Sequence, residues 1–168
     1  MRGVVVAVIP AGASHPTCSG VWTYVGNGRH VVVTDAHCVS SHRGAGVHVY
    51  FGTSWSPGAR TVYGHSYRHP SYDARTHRDD VAVIELTSTP RVSSATLAGA
   101  GTATRTAKVT TVGYGTPHLG QRRNASEVVT SWSSWRLYLR PGNGNSCDRD
   151  EDTRLDQGDA RTFVVSRP

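Results

Sequence analysis

The groups of this chain best suited to acid–base or nucleophilic chemistry are its histidines, carboxylates and cysteines, and one short run brings the types together. Val31-Val32-Val33-Thr34-Asp35-Ala36-His37-Cys38 reads as an apolar strand that ends in a turn carrying a histidine and then a cysteine. A lone histidine is usually an ordinary core or surface residue. Cys38 sets this one apart, because it can bridge to Cys18 one strand earlier and so pin the turn that carries His37. A general base must be held within hydrogen-bond reach of the group it deprotonates, and a pinned imidazole suits that work. Further on, after His69-Pro70-Ser71-Tyr72, the acids Asp79-Asp80 stand immediately before a second apolar run, Val81–Leu86. A carboxylate at the mouth of a buried strand is costly unless paired, and orienting an imidazole is one way to pair it. Taken alone, two solvated turn acids are the plainer reading of that pair.

The elements that must position these groups are strands. Val (22) and Thr (18) dominate the 168 residues, while Leu, Glu, Gln, Lys and Met are scarce. The scarce types fill helices and the abundant ones fit a pleated, half-buried sheet, which excludes a helical bundle or coiled coil and argues against an α/β fold. Short Val-rich runs between turn residues recur in the manner of a sandwich or barrel: 4–9, 21–25, 30–34, 47–52, 61–65, 81–86, 107–112, 127–130 and 135–139. Gly26-Asn27-Gly28 between the second and third is a strong hairpin signal.

The formal charge is +6, almost all from single arginines, with only Arg122-Arg123 adjacent. Without a basic run or stripe, nucleic-acid binding is not expected. No apolar stretch reaches the 18 or so residues of a membrane helix. Met1–Ala13 offers at most a weak export signal, and Val4–Ile9 is read as a buried first strand. The cysteines are Cys18, Cys38 and Cys147, an odd number, with no C-x-x-C for a zinc ribbon. A metal reading through His65-x-x-x-His69 with His77 is a minor one, and neither metal nor cofactor is expected. Composition breaks at Cys147: residues 148–168 carry 10 charged side chains in 21, against 20 in the first 147. That segment reads as a solvated charged tail, or as something other than the natural continuation of the domain.

Together the motifs resemble the trypsin-like, chymotrypsin-fold serine proteases, particularly their actinobacterial secreted branch. Cys18-Ser19-Gly20 is similar to the family's C-S-G, Thr34-Asp35-Ala36-His37-Cys38 to T-A-A-H-C, and His69-Pro70-x-Tyr72 to H-P-x-Y. Asp80-Val81-Ala82-Val83-Ile84-x-Leu86 is similar to D-I-A-L-L-x-L, and Val112-Gly113-Tyr114-Gly115 to the opening of the second barrel. The resemblance implies an all-β double barrel, the first complete over about residues 4–95 and the second incomplete over about 105–147. It implies His37 as general base, Asp80 rather than Asp79 as its orienter, and a Cys18–Cys38 disulfide with Cys147 left free. It further implies a secreted, monomeric endopeptidase acting on polypeptides, or a relative that binds a protein ligand.

The nucleophile is where the resemblance departs. The family uses G-D-S-G-G-P, whose serine attacks and whose backbone N–H groups form the oxyanion hole; this chain has no G-D-S-G. Three registers compete. In the first, Gly142-Asn143-Gly144-Asn145-Ser146-Cys147 leads into the motif, Arg149 replaces its glycine, Glu151 takes the nucleophile position and Asn145 the base of the specificity pocket. In the second, Gln157-Gly158-Asp159-Ala160 puts Ala160 at the nucleophile position, with Phe163-Val164-Val165 as the following strand. In the third, Ser146 is itself the nucleophile. The first leads most naturally out of the preceding strand. The expectation is therefore a trypsin-like serine endopeptidase by family, weak or inactive as written, with a non-catalytic binding module or a truncated gene product as the alternative.

Overall fold

The computed structural model describes residues 4–97, 104–115, 120–132, 137–141 and 162–164. Among the described residues the strands are β1 (Val5–Pro10), β2 (Cys18–Tyr24), β3 (His30–Thr34), β4 (Ala45–Tyr50), β5 (Val62–Arg68), β6 (Ala82–Leu86), β7 (Lys108–Gly113), β8 (Arg123–Trp132), β9 (Leu137–Pro141) and β10 (Thr162–Val164). The helical element among the described residues is one 3₁₀ turn, Ala36–Cys38. No helix among them is long and apolar enough to cross a membrane.

The first six strands close into an antiparallel barrel in the order β1-β2-β3-β6-β5-β4, and β4 returns to pair with β1. The β2–β3 hairpin turns where Asn-Gly predicts it. Asn27 and Gly28 both have positive φ, 49° and 72°, and Arg29 N–H closes the turn on the Gly26 carbonyl at 2.9 Å. Positive φ at both central positions matches the right-handed twist of the flanking strands.

Side chains alternate along each strand, and the barrel fills accordingly with Val6, Val8, Trp22, Val32, Val47, Val49 and Ile84. β1 is apolar on both faces because both are covered. Val6 and Val8 point into the barrel, while Val5 and Ala7 pack against Tyr114 of the second sheet. Gly20 lets β2 approach β3: a Cβ there would lie 2.4 Å from Val32 Cγ1 and 3.0 Å from the Val33 carbonyl oxygen.

The second sheet runs β10-β7-β8-β9 with Val109, Val129 and Leu139 as its core. Tyr114 fastens it to the barrel. Its backbone N–H donates to Ser19 Oγ at 2.8 Å, and its hydroxyl donates to the Gly52 carbonyl. Burial pushes the Tyr114 hydroxyl up to about 12. The architecture is the all-β double unit expected, a closed first barrel beside a second sheet that the described strands leave open.

Strands β2, β5 and β8 run furthest beyond their sequence-based bounds, β2 by starting at Cys18. β5 runs on to Arg68 because its polar end still pairs with β6, Arg68 opposite Ala82 and Tyr67 opposite Val83. β8 begins at Arg123, where its half-polar alternation hides a strand whose partner is β7. Within the segment read as a charged tail, Thr162–Val164 forms β10 and pairs with β7.

Candidate active site

The register of two strands assembles the site. β3 and β6 run antiparallel, with Thr34 opposite Ala82. The last residue of β3 therefore lies beside the first residue of β6. The 3₁₀ turn that follows β3 carries His37, and the loop that precedes β6 carries Asp80.

Asp80 grips His37 at two points. Its Oδ1 accepts the His37 backbone N–H at 2.9 Å, and its Oδ2 lies 2.8 Å from the ring Nδ1. The backbone contact fixes the turn, and the ring contact fixes the imidazole plane. Burial pushes the Asp80 carboxyl up, but the hydrogen bonds from the His37 ring and backbone, the His37 charge and a bond from His77 outweigh it. The net effect holds the carboxyl below its usual value. Asp80 is thus an anion at neutral pH, which favours the His37 tautomer with its proton on Nδ1. That tautomer leaves Nε2 with a free lone pair, the form a general base requires.

The far side of the turn is pinned covalently. Cys18 at the start of β2 and Cys38 are joined in a disulfide, Cα to Cα 5.9 Å. His37 lines a cavity of about 380 Å³ with Pro10, Ala11, Thr17, Cys18, Cys38, Val39 and Ser40.

Two neighbours of the pair were not singled out in the sequence for this place. His77 brings its Nδ1 to 3.5 Å from Asp80 Oδ2 and sets its ring edge-on to His37, centroids 6.1 Å apart. Its i, i+3 spacing from Asp80 was visible, but its backbone is left-handed (φ 53°), and nothing in the residue types foretells that. Asp35, where the family pattern has alanine, is a second acid beside the pair. Burial pushes its carboxyl up to about 6, against the lowering pull of His37, with the Asp80 charge adding to the rise.

Asp79 does not face the imidazole in any described contact. It takes a left-handed conformation (φ 54°), and its carbonyl accepts Val81 N–H at 2.8 Å, a tight kink that delivers Asp80 to the turn. His65 Nδ1 pairs with the Gly44 carbonyl and His69 Nδ1 accepts Ser71 N–H. The trio His65, His69 and His77 is not brought together; His77 joins His37 and Asp80 instead. Tyr72 of the H-P-x-Y run packs on the barrel core and meets the His77 ring at 6.5 Å. Asn145, Ser146, Cys147, Arg149, Glu151 and Ala160 lie outside the described residues.

A histidine ring held by a part-buried carboxylate on a disulfide-pinned turn of a six-stranded barrel can be set against known proteins. The family model for trypsin matches residues 5–138. The chain belongs to the trypsin family. Trypsin delta and trypsin gamma of Drosophila erecta are each 41% identical over 66 residues, 38% of this chain. The match spans about a quarter (26%) of the length of each. Among solved structures, the VesB protease of Vibrio cholerae superposes with a TM-score of 0.63 at 27% identity, over 77% of this chain and 41% of that one. Membership of the trypsin family agrees with the chymotrypsin-type arrangement of a closed first barrel beside a second sheet.

Proposed function

We propose that this chain carries the base-and-orienter half of a serine endopeptidase site, with His37 as the base and Asp80 as its orienter, and that as written it hydrolyses peptide bonds weakly or not at all. The observation that carries the reading is the two-point grip of Asp80 on His37. In the reaction such a pair serves, Nε2 of His37 takes the proton of an attacking hydroxyl. The Asp80 carboxylate holds the ring in place and stabilises the imidazolium that forms. The proton then passes from Nε2 to the leaving amine.

The reading of weakness rests on the sequence after residue 141. The family's attack needs a serine on a glycine-rich turn whose N–H groups face the oxyanion, and no G-D-S-G occurs. In the preferred register Arg149 and Glu151 occupy the glycine and serine positions and Asn145 the pocket base. A neutral Asn145 gives no support to a preference for Arg or Lys. In the alternative registers Ala160 has no nucleophilic atom, and Ser146 lacks the two following glycines.

The partner we propose is a polypeptide, bound as a poor substrate or held without cleavage, by a monomer acting outside the cell. The disulfide supports export, since such bonds persist in oxidising compartments. We further propose that residues 1–147 are the protease domain, from the actinobacterial branch, and that 148–168 is an atypical charged segment whose Thr162–Val164 adds a strand to the second sheet. A fluorophosphonate probe tests the site. Failure to label the folded chain agrees with the proposal. Labelling that His37→Ala abolishes reveals a working serine and overturns it.

A further inference from the structure

The carboxylate of Asp80 is shared between two imidazoles. Its Oδ2 is 2.8 Å from His37 Nδ1 and 3.5 Å from His77 Nδ1. One donor atom from each of the three residues lies within 4.8 Å of the other two. All three side chains are partly open to solvent, 28% for His37, 30% for His77 and 19% for Asp80, so an ion can reach them.

We propose that His37, His77 and Asp80 form a site for a divalent transition-metal ion of the zinc type, and that its occupancy withdraws His37 from proton transfer. Two imidazoles and one carboxylate suit Zn²⁺ and its borderline neighbours, whereas Ca²⁺ and Mg²⁺ want an all-oxygen shell. Three protein ligands leave a fourth position for water.

The two separations that involve Asp80 fit with little movement, and the two imidazole nitrogens, within 4.8 Å of each other, close the rest of the gap as the ion binds. Zinc bonds of about 2.0–2.2 Å in a tetrahedron set donor atoms about 3.3–3.6 Å apart. The His77–Asp80 separation is already there. The His37–Asp80 separation is that of a hydrogen bond, and it widens by about half an ångström when the ion replaces the shared proton.

The loop that presents His77 is built in advance. Asp73 N–H pairs with the Arg78 carbonyl at 3.1 Å, while the Asp73 carboxylate accepts Arg75 N–H at 2.8 Å and Thr76 Oγ1–H at 2.7 Å. These bonds close the turn on both sides of the left-handed His77. The ion would lie on the Nδ1 side of His37, where it displaces the Asp80 contact and with it the tautomer that frees Nε2. The site is independent of whether the chain cleaves peptides.

Cobalt(II) titration of the oxidised chain at neutral pH tests it without recourse to activity. Thiol reductants are left out, because reduction would free Cys18 and Cys38 beside His37. The expected result is a saturable visible absorption of low-coordinate Co²⁺ that Zn²⁺ displaces. His77→Gly and His77→Asn both tolerate the left-handed backbone and remove the imidazole. Removing an outer-sphere partner alone costs about 10–100-fold in affinity, so losing a ligand should weaken binding by more than about tenfold in each. The exposed His42, changed to Ala, should leave the spectrum unchanged. No such spectrum in the parent chain, or one kept by both His77 variants, overturns the site.

Discussion

Thr34 and Ala82 face each other across β3 and β6, and this single register sets the distance between the histidine three residues beyond one and the carboxylate two residues before the other. A slip of one residue would turn Asp80 away from the turn and reverse the faces of Val32 and Ile84 in the core. The apolar pattern that packs the barrel therefore also aligns the site.

Asp35 should weaken the fold at neutral pH. Its folded pKa, about 6, lies above its unfolded value of 3.8. As pH rises through that window the unfolded chain releases the proton first, so stability falls. The 3₁₀ turn gains nothing in return, since Asp35 makes no side-chain cap bond. Asp35→Ala should gain about 1–3 kcal/mol at pH 7 and nothing below about pH 4. Urea melts at the two pH values check this; equal gains at both would contradict the burial argument.

Asp80 should show the opposite sign. Its folded pKa is depressed, so its contribution is present above the unfolded value and is lost as pH falls through the folded one. Asp80→Asn should be less stable than the parent at neutral pH, with the gap closing as acid is added. A gap that widens in acid would contradict the hydrogen-bonded anion.

The disulfide closes a loop of sequence separation 20. Replacing both cysteines by serine should cost about 3 kcal/mol in the chain-entropy account. Thiol counting on the oxidised, unfolded chain should find one free thiol, Cys147, and three after reduction. A loss well under 1 kcal/mol by denaturation would mean that the barrel holds the turn without help.

Gly20 is fixed by its neighbours. Gly20→Ala places a methyl 2.4 Å from Val32 Cγ1, and the Val33 carbonyl at 3.0 Å blocks relief. The expected loss is about 1–3 kcal/mol. Val32→Ala in the same chain should recover part of it, so that the double variant loses less than the two single losses together. Strict additivity would place the strain elsewhere.

Much of this was legible from residue types, for identifiable reasons. Asn27-Gly28 fixes a hairpin because few residues tolerate positive φ at both turn centres. Val4–Ile9 reads as a buried strand because it is apolar throughout, and β1 is covered on both faces. The disulfide followed from the C-S-G and T-D-A-H-C runs. The place of His77 was not legible, because it depends on one left-handed backbone and on a side-chain-tied loop rather than on spacing along an element. Nor was the full length of β5, whose end Ser66-Tyr67-Arg68 looks like a polar turn and is held as strand by pairing to β6.

The central claim is a base and its orienter without an intact nucleophile, and proteolysis by the purified 168-residue chain tests it most directly. Removal of one oxyanion donor alone costs about 100–1,000-fold, and in the register we propose Arg149 and Glu151 take the positions of a motif glycine and the serine. The chain and its His37→Ala variant, assayed side by side on casein and a panel of chromogenic peptides, should both stay at background. Turnover by the parent that His37→Ala abolishes would contradict the account and identify a working nucleophile, with Ser146 the first residue to test.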